Sequence, residues 1–270
     1  MDAKELLDAG HLSAAIEQLN QELRAHPADS RRRTFLFELL SFAGDYERAA
    51  RQLDMISHQS ATAEVGVQVY RNILTAELSR RQLFSDGLRP DFLFDPPAYT
   101  HLHLEAVNRL RENRPAEAKA LLERSEGARP PLKGRLEDQP FAEFRDADDL
   151  LSPFLEMIVH SNYVWMPFEH IHHLTIAQPK RLRDLLWIPA TLESQYGAVG
   201  EVFLPVLYAG SSAHGDDQVR LGRMTDWKAG EDGLALGIGQ RLFLVDGDER
   251  AILEVREVAF EAAEQAAQGS

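Results

Sequence analysis

Apolar residues in the first half of the chain recur at helical spacing. Leu12, Ala15, Ile16, Leu19 and Leu23 share one face and predict an amphipathic helix. Pro27-Ala28-Asp29-Ser30 ends it and caps a following helix that carries Phe35, Phe37, Leu39, Leu40 and Phe42. A longer helix is predicted over 64–88, with Val65, Val69, Ile73 and Leu78 along it. An irregular stretch follows, Gly87-Leu88-Arg89-Pro90 to Pro96-Pro97, and then two helices over about 98–112 and 115–126.

The helical half repeats itself. Gly10-His11-Leu12 is followed by Ala15 and Leu19, and 34 residues on Gly44-Asp45-Tyr46 is followed by Ala49 and Leu53. A degenerate third copy reads Asn113-Arg114-Pro115, then Ala118 and Leu122. Pro27 and Pro130 stand at the same offset in the first and third copies. A period of about 34 marks helix–turn–helix repeats of the tetratricopeptide type. Such arrays stack helix pairs beside a groove that takes a partner helix or extended peptide. Arg33, Phe37 and Leu40, on the inner helix of the second repeat, are candidate groove residues. The array is short and irregular, because 64–90 holds no clean copy.

Gly127, Pro130, Pro131, Gly134 and Pro140 leave little room for regular structure and set a boundary at 127–140. Beyond it the period becomes strand-like. Phe154–Val159 and Tyr163–Met166, joined by His160-Ser161-Asn162, read as a hairpin. Further strand candidates are 174–176, 185–192, 201–208, 219–227, 241–245 and 252–260, punctuated by glycines. The fold class expected is α+β: tetratricopeptide-like helices over 1–130, a linker with an acidic loop over 131–150, and a β-rich domain over 151–260. That domain is expected to be a small sheet or partly open barrel, followed by a flexible tail over 261–270.

Charge and composition narrow the function. The formal net charge of −14 argues against a nucleic-acid partner, which calls for a basic field. No stretch approaches the apolar length of a membrane span, and the first residues lack the basic-then-apolar order of a signal peptide. The absence of cysteine excludes disulfides and thiolate metal sites.

Candidate chemistry is thin. Three carboxylates, Asp146, Asp148 and Asp149, follow Arg145 and could hold a hard cation, but they lack the glycine and later glutamate of an EF-hand loop. Hydrogen bonding to the loop backbone is the favoured reading. His101, His103, His170, His172 and His173, with Glu169 beside them, show no zinc spacing. No nucleophile elbow or Walker loop occurs, and Gly237-Ile238-Gly239 reads as a turn between strands. Tyr163, Trp165, Phe168 and Trp187 are either core or binding anchors. Arg181, Arg183 and Asp184 read as strand-edge charges, or equally as partners of the aspartates at 146–149. Arg31-Arg32-Arg33 reads first as a solvated helix start; poorly placed for the helix dipole, it could also receive an acidic partner segment.

Four segments together resemble the ImpE/TagJ family, accessory proteins of bacterial type VI secretion. They are Phe141-x-x-Phe144-Arg145-Asp146-Ala147-Asp148-Asp149, then Tyr163-x-Trp165-x-Pro167-Phe168. Pro179-x-x-Leu182-Arg183-Asp184-Leu185-x-Trp187-x-Pro189-Ala190 follows, and then Leu221-Gly222-Arg223-Met224-Thr225-Asp226-Trp227. The resemblance implies a cytoplasmic, non-enzymatic adaptor without cofactor. It implies binding to an N-terminal helix of the small contractile-sheath subunit (the VipA type) and an indirect influence on sheath recycling by the ClpV unfoldase. The family supplies no catalytic residues. The expected partner-binding residues are Arg33, Phe37, Leu40, Tyr163, Trp165 and Phe168; Arg145, Asp146, Asp148, Asp149, Arg183, Asp184 and Trp187 are expected as structural motif residues. The competing reading is a metal-dependent hydrolase built on Asp146, Asp148, Asp149 and nearby histidines.

Overall fold

The computed structural model describes residues 1–57, 61–229 and 233–262. Seven helices occupy the first half: α1 (Ala3–Asp8), α2 (Leu12–Ala25), α3 (Ser30–Phe42), α4 (Tyr46–Ser57), α5 (Ala61–Asp86), α6 (Thr100–Arg111) and α7 (Pro115–Glu126). An eighth, α8 (Asp217–Arg220), lies within the β-rich half. Of the expected tail, residues 263–270 lie outside the described residues.

The three repeat openings share one backbone geometry. Gly10, Gly44 and Asn113 all have positive φ, at 83°, 71° and 57°. Each is followed by a residue whose N–H reaches back to close the preceding helix: His11 to Leu6 O, Asp45 to Leu40 O, and Arg114 to Arg109 O. These bonds satisfy carbonyls that the helix end leaves free. Gly87, φ 75°, also ends α5, with a wider turn in which Leu88 N–H reaches Gln82 O, six residues back. Glycine and asparagine are the residues that tolerate this conformation cheaply, which is why the third copy carries Asn113.

The helix faces differ in detail from the periodicity. In α3 every residue from Leu36 to Phe42 is buried, so no polar stripe exists. On α5, Val65, Val69 and Leu78 are exposed, while Val67, Ile73, Leu74, Ala76 and Leu83 face inward. Two charged residues, Glu77 and Arg80, are buried among them.

The second half contains strands β1 (Gly134–Leu136), β2 (Gln139–Phe141), β3 (Phe144–Asp146), β4 (Phe154–Val159), β5 (Asn162–Pro167), β6 (Ile171–Ile176), β7 (Trp187–Ser194) and β8 (Gly197–Pro205). After α8 come β9 (Thr225–Ala229), β10 (Ala235–Gly239), β11 (Leu242–Val245), β12 (Asp248–Ala251) and β13 (Glu257–Phe260). Eight form one sheet in the order β2-β1-β13-β6-β7-β8-β4-β5, with every neighbouring pair antiparallel. A three-stranded sheet, β12-β11-β3, and a β10-β9 ribbon complete it. The sheet is larger than the small one expected, and its order runs from β2 at one edge to β5 at the other.

Several expected boundaries are corrected. The segment 131–150 is not a linker: β1, β2 and β3 lie in it, and β1 pairs with β13 from the far end of the chain. Pro140 is tolerated because β2 is an edge strand. The opposite edge is covered: Asp91 donates to Tyr163 O and accepts from Trp165 N, so the irregular segment after α5 lies along β5. The predicted strand over 219–227 divides into α8 and β9, because the Asp216 side chain accepts from Gln218 N–H and caps a helical turn. Gly237-Ile238-Gly239 lies in β10 rather than in a turn. Gly237 is required there because the Tyr208 ring packs where a Cβ would stand.

The β core centres on phenylalanines. Phe144 lies 5.1–5.5 Å, centroid to centroid, from the rings of Phe141, Phe168, Phe243 and Phe260. Each such buried side chain contributes about 1.5–3 kcal/mol. Replacing Gly10 with alanine is expected to lower the unfolding free energy by about 1–2 kcal/mol, whereas Asn113→Gly is expected to stay within about 0.5 kcal/mol of wild type. Urea unfolding of the two variants checks the contrast.

Candidate functional site

Five buried charges of alternating sign join the helices to the sheets. In order they are Glu77 and Arg80 of α5, Glu156 of β4, Arg241 just before β11, and Asp146 of β3. Arg80 makes a two-pronged contact with Glu156, Nε to Oε1 at 2.8 Å and Nη2 to Oε2 at 2.7 Å. It also reaches Glu77 at 3.4 Å and donates to Leu207 O at 2.8 Å. Arg241 donates to both Glu156 and Asp146, and through Nε to Pro205 O at 3.2 Å. The remaining oxygens are met by neutral donors. Tyr163 OH donates to Glu156, Tyr208 OH to Asp146 at 2.8 Å, Trp187 Nε1 to Glu77 at 2.9 Å, and Tyr46 OH to Glu77 at 3.2 Å. Trp165 Nε1 in turn donates to Tyr163 OH at 2.6 Å.

The electrostatics follow from this order. Burial alone would raise the Glu156 carboxyl, but Arg80 and Arg241 outweigh it and hold the group at about 2. Arg241 is raised despite burial, through Asp146 and Glu156. Asp148, two residues beyond the end of the row, is pushed up to about 7 by burial and by the charge of Asp146. Its oxygens accept the N–H groups of Leu150, Leu151 and Gly237. Asp149 accepts from Ala235 N–H and pairs with Arg145 at 3.3 Å. The acidic run therefore organises the loop entering β4 and ties it to β10.

A second joint sits beside the first. Arg183 donates to Glu38 of α3 at 2.9 Å and to Tyr70 OH of α5 at 2.8 Å. Asp184 accepts the N–H groups of Lys180 and Arg181 and fixes the turn that presents Arg183. Trp187 packs against Phe37 at 6.4 Å between ring centroids. A third joint closes the far end. Arg223 donates to Leu7 O and Asp8 O, the free carbonyls at the end of α1. Asp217 accepts from Leu12 N–H at 2.8 Å and caps the start of α2. Gly10 leaves the space into which Gln218 and Arg223 pack.

These positions revise the expected partner-binding set. Phe37, Leu40, Tyr163, Trp165 and Phe168 are interior residues, so a partner docking on the folded surface does not reach them. Arg33 stays at the surface. Its guanidinium donates to Pro27 O and to Gln52 Oε1 at 3.0 Å. It lines a groove of about 530 Å³ with Leu23, Arg24, Leu36, Arg48 and Glu17. Its neighbours in the basic run are engaged locally: Arg32 pairs with Asp29 and Glu22, and the Asp29 side chain caps α3 through the N–H groups of Arg31 and Arg32.

The ligand set of the hydrolase alternative does not assemble. Asp146 faces Arg241 and Asp148 faces backbone amides. His103 is buried between Leu150 O and Ser125 Oγ, at 2.7 Å from each. A carbonyl only accepts, so Nδ1 carries the proton and Nε2 accepts from Ser125. His170 packs against Tyr196 and Phe94, and His173 pairs with Glu257. Among the described residues no three histidines or carboxylates are grouped to hold a metal. No helix among them is long and apolar enough to cross a membrane.

The fold defines an α+β protein whose helical half and antiparallel sheets are locked by buried ion pairs, with a basic groove along the helices. Residues 138–259 match the family model described as ImpE protein. The chain is 39% identical to the type VI secretion system accessory component TagJ of Pseudomonas aeruginosa, covering 97% of this chain and 92% of that protein. A crystal structure of a Vibrio parahaemolyticus protein superposes with a TM-score of 0.88 at 25% identity, covering 96% of this chain and 97% of the other. The chain belongs to the ImpE family.

Glu156→Gln is expected to lower the unfolding free energy by about 3–5 kcal/mol, because it leaves Arg80 and Arg241 buried with a weakened partner; urea denaturation measures it. His103 sets a pH dependence. Burial holds it at about 4 against an ordinary 6.5, so the unfolded chain binds a proton that the fold rejects. Its contribution is full above pH 6.5 and is lost as pH falls toward 4, by at most about 3 kcal/mol. Asp148 acts in the opposite sense between 3.8 and about 7. The stability difference between wild type and His103→Gln, taken at several pH values, isolates the histidine.

Proposed function

We propose that this chain is a non-enzymatic accessory protein of a bacterial type VI secretion system. It acts in the cytoplasm as an adaptor that binds an N-terminal helical segment of the small contractile-sheath subunit and so influences ClpV-dependent sheath recycling. The observation that carries the proposal is the 39% identity, along almost the whole chain, to an accessory component of that system. The chemistry of the surface agrees with a docking role. The catalytic candidates are consumed in structural contacts, whereas the α2–α4 groove offers Arg24, Arg33 and Arg48 around Leu23 and Leu36. A helical segment with an acidic edge fits such a groove, its carboxylates toward the arginines.

Immobilised protein is expected to retain the purified small sheath subunit and to lose it when the subunit's N-terminal segment is removed. Arg24→Glu combined with Arg33→Glu is expected to weaken retention about tenfold or more, with circular dichroism unchanged. Failure of the wild-type protein to retain the subunit overturns the proposal.

A further inference from the structure

A cavity of about 740 Å³, sharing no lining residue with the α2–α4 groove, lies where α5 and α6 meet the β half. Its floor is apolar. Phe84, Val107 and Leu110 come from the helices, Leu150 and Leu151 from the loop before β4, and Leu236 from β10. Phe84, Leu110 and Leu236 are only half-buried, so apolar surface remains available to an occupant.

Three cations stand over this floor: Arg81, Arg111 and Lys228, all exposed. Arg81 donates to Gly44 O at 2.6 Å and lies over the Tyr46 ring. Arg111 donates to Ser85 O at 2.9 Å and to the Asn108 amide oxygen at 3.1 Å. The Lys228 ammonium extends toward Gly210, ending 3.9 Å from where a Cβ there would stand. Among the described residues none of the three pairs with a carboxylate. The acidic side chain in the lining is Asp148, and its oxygens are spent on the N–H groups of Leu150, Leu151 and Gly237 at 2.8, 3.2 and 2.7 Å.

Positive charge that no carboxylate among the described residues pairs with, around an apolar cavity in a chain of net charge −14, is a pattern that selects its ligand. The volume suits a small molecule, the floor suits an apolar body, and the rim suits an anion that the surrounding negative protein would otherwise repel. We propose that this junction cavity binds a small amphipathic organic anion: a medium-length alkyl chain or an aromatic ring bearing one carboxylate or sulfonate. The apolar body lies on Phe84, Leu110 and Leu236, and the anionic group meets Arg81, Arg111 and Lys228. The site goes beyond the adaptor role and stands independently of it.

Calorimetric titration of the full chain with decanoate, and fluorescence titration with anilinonaphthalene sulfonate, test the site. Saturable binding of one molecule per chain below about 1 mM is expected, with uncharged decanol at least about tenfold weaker. Arg111→Glu combined with Lys228→Glu is expected to weaken decanoate about tenfold or more without lowering the melting temperature, since both side chains are exposed. Ala213→Trp, which places a ring in the cavity mouth, is expected to block both probes. The proposal is overturned by absence of saturable binding, by equal affinity for decanol and decanoate, or by unchanged binding in the double variant. Binding of an acetylated acidic tetrapeptide but not of decanoate also overturns it, in favour of a peptide site. Because the sheath retention assay uses other residues, the two outcomes separate.

Discussion

The alternating row Glu77–Arg80–Glu156–Arg241–Asp146 is the constraint on which the rest of this structure depends. Each charge in it is buried, and a charge without its partner in a protein interior costs several kcal/mol. Glu77 and Arg80 pair within α5, but every other ion pair of the row crosses between elements. Glu77 and Arg80 belong to α5, Glu156 to β4 and Asp146 to β3, while Arg241 lies just before β11. The helices therefore cannot separate from the sheets without stranding Arg80 on one side and Glu156 on the other. Ion pairs of this kind add little net stability over an apolar core, but they penalise every other arrangement strongly. The row fixes how the two halves sit together.

The four sequence segments that mark the ImpE family converge on this joint and its neighbours. The first supplies Asp146 and the turn around Asp148; the second supplies Tyr163 and Trp165; the third supplies Arg183 and Trp187; the fourth supplies Arg223 at the end of α1. Their contacts in this structure are architectural, which explains why a family can be legible in residues that hold the fold together. The basic groove on the helices and the cavity at the junction lie outside the row; the cavity is walled partly by α5, which the row holds against the sheets.

Much of the fold was legible in the chain, for physical reasons that also show where reading stops. The helix-closing residues Gly10, Gly44 and Asn113 stood out because left-handed backbone restricts residue choice so sharply. The face of α5 was misjudged because its interior side carries Glu77 and Arg80, which periodicity assigns to solvent, while Val65 and Val69 are left outside. The strands in 131–150 were hidden by Pro140, which an edge position excuses, and by pairing with β13 more than a hundred residues away. Interior aromatics such as Phe37 and Trp165 resembled binding anchors because composition does not distinguish a core from an interface. One local sign of the buried row was present: Glu156 interrupts the apolar run from Phe154 to Val159, and a charge there calls for a buried partner. Its partners Arg80 and Arg241 lie too far along the chain for any local pattern to reveal them.

If the buried row makes one unit of the two halves, native-state hydrogen exchange should report it. Amides in the middle of α5 and in β4 should exchange with the same opening free energy in the wild-type protein. In Arg80→Met the α5 amides should open at a distinctly lower free energy than those of β4. Different opening free energies for α5 and β4 already in the wild type, or equal ones in the variant, would contradict the account.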